Sequence, residues 1–192
     1  DVPPLGFAWI AANPAAGRPK KAAATLADEC LLRNEFFEVK VDPASGGLRA
    51  IHEYDARRNR LSQQLVFRSD DAGGPAHSDE IGEGVPSNVV SSMIADAVQT
   101  VVSTETLGEI VARGRLVDGH GRKLAGFRQT YRLWRGSRVL LLDIELEPHA
   151  ECSGEPWSCY YAARFAWANE AAELFRSANL TRQPAKSKRF EA

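Results

Sequence analysis

Cysteine is scarce in this chain. Its three cysteines, Cys30, Cys152 and Cys159, are odd in number and too few for a disulfide framework. Cys152 and Cys159 flank Pro156 and could pair, but Cys159 falls on an apolar strand face, where a buried free thiol is expected. No zinc-ribbon spacing links the three. Unpaired thiols fit a reducing compartment, so a cytoplasmic location is expected. An excess of one charge is also missing. Lys and Arg number 24, Asp and Glu 25, for a net charge of −1. That balance excludes a general attraction to nucleic acid or to an anionic membrane. No apolar run approaches the ~20 residues that span a bilayer, so no membrane partner is expected. Long helical patterns and tandem repeats are absent, as is the Gly-x-Ser-x-Gly elbow of serine hydrolases. The histidines, His52, His77, His120 and His149, all fall near turns or strand ends.

What is present is strand alternation, clearest between Arg122 and Glu147. Ala125, Phe127, Gln129, Tyr131 and Leu133 share one parity, and Leu140, Leu142, Ile144 and Leu146 share another. Side chains alternate faces along a strand, so each set lines one face. Gly136-Ser137 between them suggests a two-residue type II′ turn, since Gly accepts φ > 0 at its first position. That centre sets Leu133 opposite Leu140, Tyr131 opposite Leu142 and Phe127 opposite Leu146. The other face then carries Arg128 opposite Glu145 and Thr130 opposite Asp143, a charged outer face. A loop at 118–121 predicts a preceding strand with Leu116 opposite Lys123, Ala112 opposite Phe127 and Ile110 opposite Gln129.

The remaining chain follows the same rule. Residues 1–12 predict a strand of a preceding small β element, and the Ala, Pro and Lys-rich residues 13–29 a linker. Residues 32–42 predict one strand with Phe37, Val39 and Val41 inward, and 42–47 a turn. The return strand changes parity between Leu48 and Ile51, which a bulge would reconcile. Strands are also expected over 61–70, 89–104, 156–170 and 172–183. In the 156–170 strand Trp157, Cys159, Tyr161, Ala163, Phe165 and Trp167 share a face expected to be core. The fold class is therefore all-β, an antiparallel β-sandwich occupying 30–192. Residues 69–88 lack periodicity and hold His77, Asp79, Glu80 and Glu83, whose order matches no EF-hand or other metal loop.

The order and spacing of several segments resemble the region after the catalytic domain in glycoside hydrolase family 38 α-mannosidases. The segments are VPPLGFAWI, LRNEFFEVKVDPASGGLRAIHEYDARRNRL, YRLWRGSRVLLLDIELEP and PWSCYYAARFAW. The resemblance spans most of the chain and implies a large sandwich, the supersandwich similar to galactose mutarotase. It also implies a partial domain, truncated near Phe190-Glu191-Ala192. The family's zinc ion, Asp nucleophile and carboxylic acid partner belong to a barrel that would precede Asp1, and no residue here matches them. No catalytic or metal-ligating residue is therefore assigned to this chain, and zinc is expected only in the barrel. The implied partners are that barrel, as a domain of the same polypeptide, and a mannoside carbohydrate.

The residues themselves agree with a noncatalytic role. Asp143 and Glu145 sit two apart on one strand, but Arg128 and Arg132 would hold both ionised, which spoils a general acid. A thiol–imidazole pair of Cys159 and His149 is discounted because Cys159 shares a face with Trp157 and Phe165. Contacts with sugar or barrel are expected at Tyr160 and Arg164, four apart on one face with Ala162 and Ala166 leaving room. An amphipathic ring and a fork of donors suit such a contact. Trp134 and Tyr160 are the aromatics off core parity, so Trp134 is a further candidate for such a contact. The expected function is a noncatalytic β domain supporting a glycosidase. The alternatives are a free-standing carbohydrate-binding module and a structural or protein-binding sandwich.

Overall fold

The computed structural model describes residues 24–55, 58–69, 91–152, 158–168, 173, 175–178 and 181–184. These residues form strands, turns and loops and no helix, as the alternation requires. One antiparallel sheet has six strands in the order β1 (Ala27–Asp28), β2 (Leu31–Arg33), β3 (Phe37–Val41), β4 (Leu48–Glu53), β5 (Leu61–Ser69) and β10 (Cys159–Trp167). The second has four, β6 (Ser92–Ser103), β7 (Leu107–Val117), β8 (Lys123–Trp134) and β9 (Leu140–Pro148). Their facing sides form a sandwich whose core joins Leu32, Val39, Leu48 and Leu65 to Ile110, Leu116, Tyr131 and Leu133. β6 crosses the six-stranded sheet. At its start Ser91 Oγ accepts from Phe67 N–H at 2.7 Å, and near its end Ser103 Oγ donates to the Ala27 carbonyl at 2.5 Å.

The central hairpin has the expected pairing. Leu133 pairs with Leu140, Tyr131 with Leu142, Arg128 with Glu145 and Phe127 with Leu146. Its connection is not the two-residue type II′ turn centred on Gly136-Ser137. Five residues, 135–139, separate the strands, and Ser137 N–H donates to the Trp134 carbonyl. Gly136, with φ of 77°, is thus the third residue of that turn rather than the second. A left-handed third residue needs Gly just as a left-handed second one does, so composition alone does not separate the two turns.

The β7–β8 register differs from the expected one by two. Leu116 pairs with Ala125, Ala112 with Gln129 and Ile110 with Tyr131. The loop includes Arg122, because the Asp118 carboxylate accepts from both His120 N–H and Arg122 N–H at 2.9 Å. A bulge between Leu116 and Val117 adds the second residue of shift. A shift of two keeps every side chain on its face, so Ile110, Ala112 and Leu116 are still fully buried.

Other corrections are local. The expected strand over 32–42 is a hairpin of β2 and β3, folded where Asn34 Oδ1 accepts the N–H groups of Phe36 and Phe37. The end of the expected linker 13–29 belongs to the sandwich, since Leu26 and Ala27 are buried and Leu26 N–H donates to the Thr104 carbonyl. The single strand expected over 172–183 is a separate ribbon of β11 (Phe175–Ala178) and β12 (Thr181–Pro184). The uniform core face of β10 does not hold. Cys159 is buried and Tyr161 packs on Phe67 with ring centroids 4.8 Å apart, but Phe165 and Trp167 are each 44% exposed. β10 is an edge strand, and its second half lies where the sheets part into an open cleft that Phe165 lines with Leu140 and Leu142. Trp157 and the possible ligands His77, Asp79, Glu80 and Glu83 lie outside the described residues.

Candidate functional site

The site begins with the turn at 42–47. The Asp42 carboxylate accepts the Ser45 hydroxyl at 2.6 Å and the Ser45 N–H at 3.0 Å, while Gly46 N–H donates to the Asp42 carbonyl. Hydrogen bonding to the Ser45 hydroxyl is the main reason the Asp42 carboxyl titrates below its usual range, aided by backbone N–H groups and by the positive charge of Arg49. Gly46 adopts φ of 74°, and its carbonyl accepts from Gln129 Nε2 at 3.0 Å and Tyr131 Oη at 2.9 Å. The turn is thereby pinned to the centre of β8.

The bulge foreseen from the parity change follows this turn. Val41 pairs with Leu48 and Lys40 with Ala50, so Arg49 is the extra residue. It is exposed between two buried neighbours, the re-aiming of a side chain that a bulge permits. Across the sheet β5 and β10 set Gln64 opposite Arg164 and Ser62 opposite Ala166. Asp42, Ser45, Arg49, Ser62, Gln64 and Arg164 then line one open cleft of about 490 Å³. Ala166 lines it too and leaves room beside Arg164, as its size suggests.

The donors of this cleft are mostly uncommitted. Among the described residues the side chains of Arg49, Ser62, Gln64 and Arg164 have no hydrogen-bond or ion-pair partner. Gln63, between Ser62 and Gln64, points to the core face of β5 with Leu65, is 1% exposed, and both atoms of its amide lack partners, so its amide is no part of the cleft. Two guanidinium groups, one ionised carboxylate, one amide and two hydroxyls suit a polyhydroxylated or anionic ligand. They contain no acid and base poised for proton transfer.

The expected contact residues separate in space. Arg164 lies in the cleft. Tyr160, on the same strand, is opposite Arg68, which donates to its hydroxyl at 3.2 Å with its guanidinium 5.7 Å from the ring centre. Tyr160 is therefore engaged within its own sheet. Trp134 ends β8 in the other sheet, where its carbonyl accepts from Asn34 Nδ2 at 3.0 Å. Asp42, Arg49 and Gln64 were not anticipated as site residues. The parity change after Leu48 was the available signal for Arg49, because it marks the bulge.

The discounted chemistry has structural counterparts. Glu145 is bound by Arg128 at 2.9 Å, and Asp143 by Arg132, which also holds Glu109 at 2.6 Å. His149 Nδ1 donates to the Glu147 carbonyl at 2.9 Å. The Cys152 thiol is pushed up to about 11, chiefly by its hydrogen bond with the Cys159 thiol, so it is protonated at neutral pH. Among the described residues no three His, Cys, Asp or Glu side chains gather as metal ligands. Compared with family models, curated proteins and solved structures, the chain matches none.

Proposed function

We propose that this chain is a noncatalytic, galactose mutarotase-like β domain of a glycoside hydrolase of the family 38 α-mannosidase kind. In this reading the Arg164 cleft is its carbohydrate contact. The carrying observation is the set of unengaged donors around Arg164, in a cleft of about 490 Å³ with a bulge beside it. Sugar hydroxyls both donate and accept, and a fork of guanidinium donors beside a carboxylate meets both needs. The residues of this chain orient and bind; the bond cleavage belongs to a zinc-bearing barrel on the same polypeptide.

The test is an NMR titration of the full chain with methyl α-mannoside and mannobiose. Shifts at Arg164, Gln64 and Arg49 are expected, and Arg164→Ala should abolish them while moving the melting temperature by no more than about 1 °C, as for other exposed, unpartnered side chains. If no shift occurs there, or if stability falls as steeply as binding, the cleft is structural and the reading fails. The chain alone should not turn over aryl α-mannosides, with or without zinc.

One observation favours the alternative of a free-standing carbohydrate-binding module. Core parity had placed nearly all aromatics inside, yet Phe165 and Trp167 are exposed on β10. Exposed rings on a strand can stack on sugar faces. In the same titration, shifts centred on Phe165 and Trp167, with Arg164 silent, would favour this second reading.

A further inference from the structure

The sandwich has two lips, and they are built differently. Along one, β6 is tied to the six-stranded sheet through Ser91 and Ser103 and carries two bulges, between Ala95 and Ala97 and between Thr100 and Val102. Such devices protect an exposed sheet edge. Along the other lip β9 runs for nine residues, paired to β8 without a bulge; its charges, Asp143, Glu145 and Glu147, are all acidic, and Pro148 ends it. Its second edge pairs with no other described strand. Beside that edge the sheets part into a cleft of about 740 Å³, whose lining includes Leu140, Leu142 and Ile144 of β9 and Ile51, Leu61 and Phe165 of the opposing sheet.

We propose that β9 is a docking edge, and that its occupant is an extended segment of another protein whose side chains alternate between apolar residues and Lys or Arg. A strand added to β9 would satisfy its free backbone groups, and every second side chain would enter the apolar cleft. The intervening side chains would stand about 5 Å from the outward row of β9, where opposite charges attract. That row is Leu141, Asp143, Glu145 and Glu147. Arg132 and Arg128 hold Asp143 and Glu145 from the β8 side only, and the two carboxylate side chains stay 59% and 67% exposed. A second copy of the chain is the wrong occupant. Antiparallel pairing of β9 with β9 sets this acidic row against itself, and like charges across a ladder repel.

The test titrates the full chain with nine-residue peptides, matched to β9 in length, by fluorescence polarisation. One peptide alternates Val and Lys, a second Val and Glu. About a tenfold preference for the Val-Lys peptide is expected from two or three cross-strand charge pairs. Asp143→Asn with Glu145→Gln should reduce it to below about threefold. Glu147→Gln, which breaks no ion pair among the described residues, should reduce it in part and serves if the double variant fails to fold. A Val-Lys peptide N-methylated along one edge should bind at least about tenfold more weakly, since strand addition rests on main-chain hydrogen bonds. Equal affinity for the two charge patterns, full binding of the N-methylated peptide, or no binding of any peptide would overturn the proposal. So would a dimer in sedimentation that the double variant strengthens, because the edge would then be taken by a second copy.

Discussion

β8 and β10 look alike in sequence and end in different surroundings. Each alternates large apolar or aromatic side chains over about nine residues or more. β8 lies inside the four-stranded sheet, and Tyr131, Leu133 and Gln129 on its inner face are fully buried. β10 closes the edge of the six-stranded sheet and goes from buried Cys159 to exposed Phe165 and Trp167. Alternation reports which side chains share a face. Whether another layer covers that face depends on where the strand sits in the sheet and how far the opposing sheet extends, which no local pattern carries.

The sharpest test of the comparison is Tyr131. Its ring is fully buried, and burial holds its hydroxyl protonated well above the ordinary tyrosine range. Tyr131→Ala should cost about 3–5 kcal/mol, read as a fall in denaturation midpoint, because it leaves a large cavity and one fewer donor at the Gly46 carbonyl. Tyr131→Phe should cost only about 1 kcal/mol, since Gln129 Nε2 still donates to that carbonyl. A small effect of the alanine variant would mean that the β8 core is looser than its burial implies.

A middle-sized effect is expected where the six-stranded sheet reaches β8, at the Asp42 turn. The folded-state titration of Asp42 lies below its unfolded value of about 3.9, so its contribution is full above that value and lost as pH falls through the folded one. At neutral pH Asp42→Ala should cost about 1–2 kcal/mol for the bonds to Ser45. The difference from the native chain should persist from pH 7 to 5 and shrink below about pH 4. Denaturation midpoints across that range check it. A gap that stays constant down to pH 2 would mean that the carboxylate charge plays no part in holding the turn.

Legibility in the sequence follows the range of the interactions involved. The β8–β9 pairing was readable because two apolar sets and a glycine lie within one hairpin, and the bulge at Arg49 because it breaks a local parity. The β7–β8 register was not, because an Asp118 side-chain bond and a bulge each add a residue without moving any side chain to the other face. Arg164 stood out beside its small neighbours. Its companions did not, because the pairing of β5 with β10 joins segments about a hundred residues apart and brings Gln64 to Arg164 only in the fold. The same distance hid the bond between Arg68 and Tyr160, which removes Tyr160 from the free surface.

The smallest expected effect is at Phe165, on the half of β10 where the sheets part into the open cleft. Full burial of a Phe side chain is worth about 1.5–3 kcal/mol, and this ring keeps 44% of its surface in solvent. Its contacts are one-sided, against the lining of the cleft below β9, so Phe165→Ala opens no sealed cavity. The loss should be about 1 kcal/mol, well below that of Tyr131→Ala. The two variants measured side by side by urea denaturation decide whether β8 and β10 differ as described. A loss at Phe165 equal to that at Tyr131 would show that a further layer covers β10 in solution. Repeating the measurement over a hundredfold range of protein concentration would then tell which kind: a midpoint that rises with concentration assigns the cover to a second copy, and a constant midpoint assigns it to the chain's own residues.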